Sequence, residues 1–99
     1  MNPGGRASPS FTARQGQYLA FIHAYTLVIG RPPAEADIQR FFRVSPPAVH
    51  QMIVSLDKAG LIARQPGVAR SITVLVDRKA LPELEAAQDQ AFRTTMPRY

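Results

Sequence analysis

Two residues, Arg43 and Val44, are all that separate an apolar-faced segment ending in Phe42 from the dipeptide Ser45-Pro46. Serine is a favoured helix N-cap, and proline at the first helical position loses only an amide that would have no partner there. A helix therefore begins at Pro46. The segment before it, Ala34 to Phe42, reads as a helix too: Glu35 and Asp37 suit the positive end of the helix dipole, and Ile38, Phe41 and Phe42 share a face. Two helices joined by so short a link, the second opened by Ser-Pro, have the organisation of a helix-turn-helix, and an ordinary helical hairpin in a three-helix core has similar spacing.

Upstream, Thr12 and Gln15 have the spacing of a capping box, and Tyr18, Leu19, Phe21, Ile22, Tyr25, Val28 and Ile29 then recur at helical intervals. Gly30 ends this first helix, and Arg31-Pro32-Pro33 makes a stiff turn. The helix from Pro46 should run to about Ala59, with Gly60 just past its end. Leu61 to Arg64 and Ser71 to Val76 read as strands flanking a turn-rich Gln65 to Arg70. The expected fold is mainly α with a small β-hairpin, a three-helix winged helix-turn-helix over residues 11–76. Residues 1–10 read as a flexible tail. Residues 77–99 form an extension, with helix-favouring composition from Glu83 to Phe92.

The sequence has 99 residues and no cysteine, enough for one small domain and without thiolate nucleophiles, disulfides or the common zinc frameworks. Neither histidine has a paired carboxylate at helical spacing and no glycine-rich phosphate loop precedes a helix, so no enzyme, metal site or cofactor is expected. His23, inside the first helix, reads as a partly buried, hydrogen-bonded ring. The longest apolar run falls far short of the ~20 residues that span a bilayer, and no signal peptide is evident, so no membrane is expected and a cytoplasmic location (nucleoid-associated if bacterial) is. The net charge of +5 belongs entirely to residues 1–76, which hold eight basic and three acidic side chains. That is the footprint of a partner with many negative charges.

At about 100° per residue, Val49, Met52, Ile53 and Leu56 cluster on one side of the third helix. Pro47, Gln51, Val54 and Lys58 point the other way, flanked by His50 and Ser55. A solvated helix face ordinarily carries charges of both signs. This one is small, neutral and hydrogen-bonding, with one cation and no acid, which suits the major groove of double-stranded DNA. There Gln51 matches the adenine edge, His50 and Ser55 reach a base or phosphate, and Val54 lies against a thymine methyl. Ser45 and the cationic or polar Arg31, Arg40, Arg43, Lys58, Arg64, Gln65 and Arg70 are the candidates for holding the DNA backbone.

Thr12-Ala13-Arg14-Gln15, Gly30-Arg31-Pro32-Pro33, Ser45-Pro46, Ala48-Val49-His50, Gly60-Leu61-Ile62, Arg64-Gln65-Pro66-Gly67 and Ala69-Arg70-Ser71-Ile72 together resemble the N-terminal DNA-binding domain of LexA-type repressors, over roughly residues 11–74. The resemblance implies that the helix opened by Ser45 lies in the major groove and that the hairpin around Pro66-Gly67 touches the backbone. Pro47 stands where the family usually has an asparagine, Arg43 stands where a glycine is usual, and the turn between helices two and three is one residue shorter than in many members. Only 23 residues follow Val76, too few for the dimerising, self-cleaving serine–lysine domain that follows in that family. The function expected is a sequence-specific DNA-binding transcriptional repressor. The alternative is a winged-helix module that grips another protein. For residues 77–99 the expectation is packing on the domain or fraying, with a homodimer contact as the alternative.

Overall fold

The computed structural model describes residues 10–90. Three α-helices come first: α1 (Ala13–Ile29), α2 (Glu35–Phe42) and α3 (Pro46–Lys58). Two short antiparallel strands follow, β1 (Ile62–Ala63) and β2 (Thr73–Val74), with Ile62 opposite Val74 and Ala63 opposite Thr73. A 3-10 turn over Arg78–Ala80 closes the hairpin side, and residues 87–90 are again helical. This is the mainly helical, winged helix-turn-helix architecture expected from the sequence. The tail over residues 1–9, and the end of the expected C-terminal helix at Ala91-Phe92, lie outside the described residues.

The helix ends follow from their capping groups. Thr12 Oγ1 accepts from the Gln15 amide at 3.0 Å while Gln15 Oε1 accepts from the Thr12 amide at 2.9 Å, satisfying two otherwise orphaned donors reciprocally. Gly30 takes the left-handed conformation at φ 91° and donates its amide to Thr26 O at 2.9 Å, stopping α1. Ala34 has no side-chain acceptor to offer α2, so Asp37 reaches back and its Oδ2 accepts from the Ala34 amide at 2.9 Å. Ser45 Oγ accepts from the Ala48 amide at 3.3 Å and opens α3.

The core lies where the three helices meet the hairpin. Tyr18, Leu19 and Ile22 of α1, Ile38 and Phe42 of α2, and Val49, Ile53 and Leu56 of α3 are all buried, together with Leu61, Ile62, Ile72 and Val76. Tyr18 and Phe42 stack with centroids 4.1 Å apart and planes 2° from parallel. Phe21 and Phe41 meet Phe42 edge-on at 5.8 and 4.9 Å, so four rings fix α1 against α2.

Three sequence expectations are corrected. Val28 and Ile29 do not belong to the core: Leu27, Val28 and Ile29 are 75%, 79% and 53% exposed, because the last turn of α1 runs beyond the body it packs on. The strands are shorter than expected, since Ser71 gathers the hairpin's far end into a turn before pairing begins. Its Oγ accepts from the Gln65 amide at 2.9 Å and donates to Val68 O at 2.9 Å. The stretch from Glu83 is not helical until residue 87. Gln17 of α1 takes its backbone groups instead: Nε2 donates to Glu83 O at 3.0 Å and Oε1 accepts from the Glu85 amide at 2.9 Å. Residues 81–90 thus lie back along α1, where Pro82 rests on Gly16 so closely that a Cβ there would stand 3.0 Å from both Pro82 and Phe11. Helix propensity loses to side-chain hydrogen bonds that only the tertiary contact supplies.

Candidate nucleic-acid interface

The outer side of α3 is built by its cap and its core stripe. With Val49, Ile53 and Leu56 buried, the 3.6-residue period turns Pro47, His50, Gln51, Ser55 and Lys58 outward, and all five are exposed. Ser45 is exposed beside them at the helix start. Val54 is only half-buried rather than fully outward. Ser55 is not independent of the scaffold, because its Oγ accepts from Gln15 Nε2 at 3.4 Å.

His50 has a neighbour that a one-helix reading could not reveal. Its Nδ1 lies 3.4 Å from Glu35 Oε1, at the start of α2. The outer face of α3 carries no acid of its own, yet α2 brings one to its edge. The spacing of residues 35 and 50 in sequence holds no signal for this pair. It follows from the angle at which α2 meets α3.

The cations divide by what they touch. Arg31, Arg40, Arg43 and Lys58 are exposed, and Arg40 is 74% open although it pairs with Asp37 at 3.2 Å. Arg43 caps α2 in the left-handed conformation, φ 57°. Its side chain therefore springs from the sharp turn between α2 and α3. Arg64 is largely buried, with Nε 3.1 Å from Asp57 Oδ2, tying the chain just past β1 to the end of α3. Arg70 also takes φ 57°, and its guanidinium lies 3.2 Å from each of Tyr25 Oη, Pro32 O and Asp37 Oδ2. Gln65 is exposed at the hairpin turn.

Asp37 is thus a hub, beyond its place at the positive end of the α2 dipole. It accepts from the Ala34 amide, then pairs with Arg40 and Arg70, and these contacts together hold its carboxyl below the ordinary aspartate value despite the opposing effect of partial burial. The hub ties the start of α2 to the hairpin, and the hairpin to Tyr25 of α1. An open cavity of about 240 Å³ remains between them, lined by Pro33, Glu35, Arg64, Gly67 and Ser71 among others. His23 is half-buried at the side of a second cavity of about 190 Å³ with Thr26, Pro32 and Ile72. No group of three or more metal-ligating side chains occurs among the described residues, and no described helix is long and apolar enough to cross a membrane.

Three helices, a second and third set at a tight turn, and a hairpin latched beside the outward face of the third define a winged helix-turn-helix protein with a basic surface. The model of the LexA DNA-binding domain matches residues 8–71. The chain belongs to that family. The LexA repressor of Thermosipho africanus (strain TCF52B) is 36% identical over 64 residues, covering 65% of this chain and 32% of the repressor. That of Dechloromonas aromatica (strain RCB) is 39% identical over 72 residues, covering 72% of this chain and 35% of the repressor. The chain spans about a third of the length of these relatives.

Proposed function

We propose that the protein is a sequence-specific double-stranded DNA-binding transcriptional repressor that acts by occupying its site. In this reading α3 enters the major groove and the hairpin, residues 61–76, lies along the backbone. The observation that carries it is the outer face of α3: Pro47, His50, Gln51, Ser55 and Lys58 are exposed together, and residues 81–90 dock on α1 rather than across them. That these relatives are LexA repressors supports the repressor role.

The residues take three roles. Gln51, with both a donor and an acceptor, reads a base edge, and His50, Pro47, Val54 and Ser55 surround it. Arg31, Arg40, Arg43, Lys58, Ser45 and Gln65 contact phosphates and set the register without reading sequence. Arg64 and Arg70, held by Asp57 and Asp37, act on the backbone chiefly by fixing where the hairpin stands.

Selection of bound fragments from random duplex DNA tests the reading. A defined motif should emerge, with affinity falling steeply as salt rises. Gln51→Ala should relax discrimination at one base pair, by about 1–3 kcal/mol, while Lys58→Ala should weaken all sequences alike and lower the salt slope by about one. Enrichment of no motif, or equal losses on specific and random DNA for Gln51→Ala, would refute it. A second reading, a protein-gripping module, is favoured by the exposed Leu27 and Val28 at the tip of α1. It predicts no mobility shift of mixed genomic fragments even at low salt.

A further inference from the structure

The acid at the edge of the recognition surface is the feature that a DNA-binding role alone does not explain. Glu35 is partly exposed, stands beside the face offered to a polyanion, and repels phosphates there unless it is used. It sits in the first turn of α2, where the buried Pro33 and the Asp37–Ala34 hydrogen bond hold the backbone. It also lines the cavity between α2 and the hairpin, so it lies between the two elements that would meet DNA. Its Oε1 faces the Nδ1 side of His50.

An imidazole has two inequivalent nitrogens, and a partner on one decides what the other offers. A carboxylate facing Nδ1 favours the proton there. Nε2 of the neutral ring is then an acceptor. In open water so exposed a contact does little. Under a docked duplex the water is displaced, the local dielectric falls, and the same contact gains strength at the moment of reading.

Resting on the reading that α3 enters the major groove, we propose that Glu35 is a positioning residue for base recognition. It holds the His50 proton on Nδ1 so that Nε2 accepts a hydrogen bond from an exocyclic amino group, N6 of adenine or N4 of cytosine. A neutral His50 with its proton so placed cannot serve as a donor to the N7 or O6 acceptors of a purine.

The test begins with the motif selected by the full chain and locates the base pair whose discrimination His50→Ala removes. At that pair, the adenine or cytosine is replaced by its analogue lacking the exocyclic amino group, purine or 2-pyrimidinone. In a separate duplex its purine is replaced by the 7-deaza form. Wild type should lose about fivefold to tenfold in affinity to amino deletion, the scale of one neutral hydrogen bond, and little to the 7-deaza change. Glu35→Ala should bind the parent and amino-deleted duplexes nearly equally, and Glu35→Gln, which keeps an acceptor oxygen, should restore most of the difference. Nitrogen-15 spectra of the imidazole in the free protein should show the Nδ1–H tautomer dominant in wild type and diminished in Glu35→Ala, a change that general loss of packing would not produce.

Sensitivity to the 7-deaza change rather than to amino deletion overturns the proposal. So does a Glu35→Ala variant as sensitive as wild type, a motif with no His50-dependent position, or a tautomer population indifferent to residue 35. Failure to select any motif refutes the DNA-reading function itself, and the outcomes are thereby told apart.

Discussion

Replacing Phe42 by alanine should remove a large part of the stability of the domain. The ring is fully buried, lies 4.1 Å from Tyr18 in a parallel stack, and meets Phe21 and Phe41 edge-on. Truncating a buried phenylalanine to alanine costs about 3–5 kcal/mol in transfer and cavity terms. Three ring partners place this site toward the upper end, since aromatic pairs add about 0.5–1.5 kcal/mol beyond burial. A domain of this size has in total about 4–12 kcal/mol. With a urea dependence of about 1 kcal/mol per molar, the midpoint should fall by about 3 M or more, to the point where the variant is partly unfolded in buffer. Phe42→Leu, which keeps most of the volume but not the stack, should lose roughly 1–2 kcal/mol. Urea titrations followed by circular dichroism measure both. Since Phe42 ends α2 one residue before the turn into α3, Phe42→Leu should also weaken DNA binding under conditions where it is fully folded. A Phe42→Ala loss below about 1 kcal/mol, or Phe42→Ala and Phe42→Leu equal within error, would mean that the four-ring cluster does not fix α2 against α1, and the argument from it would fail.

Other expectations follow from single contacts. Arg43→Gly should raise stability by about 1 kcal/mol, because glycine adopts φ 57° without a Cβ penalty, yet lower DNA affinity and the salt slope by the loss of an exposed cation; thermal melts and titrations at several salt concentrations would show the two moving in opposite directions. Asp37 has its carboxyl held below the usual value in the folded state, so its contribution is complete above about pH 4 and fades as pH falls through the lowered folded value. Asp37→Asn should therefore lower stability at pH 7 and flatten the acid side of the stability curve, and an unchanged acid slope in urea titrations would count against the hub. Gln17→Leu should leave the Glu83 carbonyl and Glu85 amide without their side-chain partner, at about 1–3 kcal/mol, and hydrogen exchange of the Glu85 amide should accelerate while the core of α3 stays protected.

Local chemistry made much of the architecture legible. The Thr12–Gln15 box, Gly30, the Ser45-Pro46 opening and Gly60 each act through a backbone group within a few residues, so their spacing alone marks where α1 and α3 start and stop. The buried stripe of α3 was equally readable, because a 3.6-residue period is a property of one helix and needs no partner to be seen. It also announced the exposed face of Gln51, His50 and Lys58. What no periodicity carried were contacts between residues far apart in the chain. Asp37 meeting Arg70, Gln17 taking up the backbone of residues 83 and 85, and Glu35 approaching His50 all depend on how helices cross and where the hairpin folds back. Val28 and Ile29 fit the helical pattern and still ended in solvent, because a stripe says which side of a helix is apolar but not how far its neighbours extend. Sequence by itself determined the elements and their faces, through interactions within a turn or two; tertiary structure alone decided which charges stand exposed and which are held in ion pairs, because pairing is set by distances in space that one-dimensional spacing does not contain.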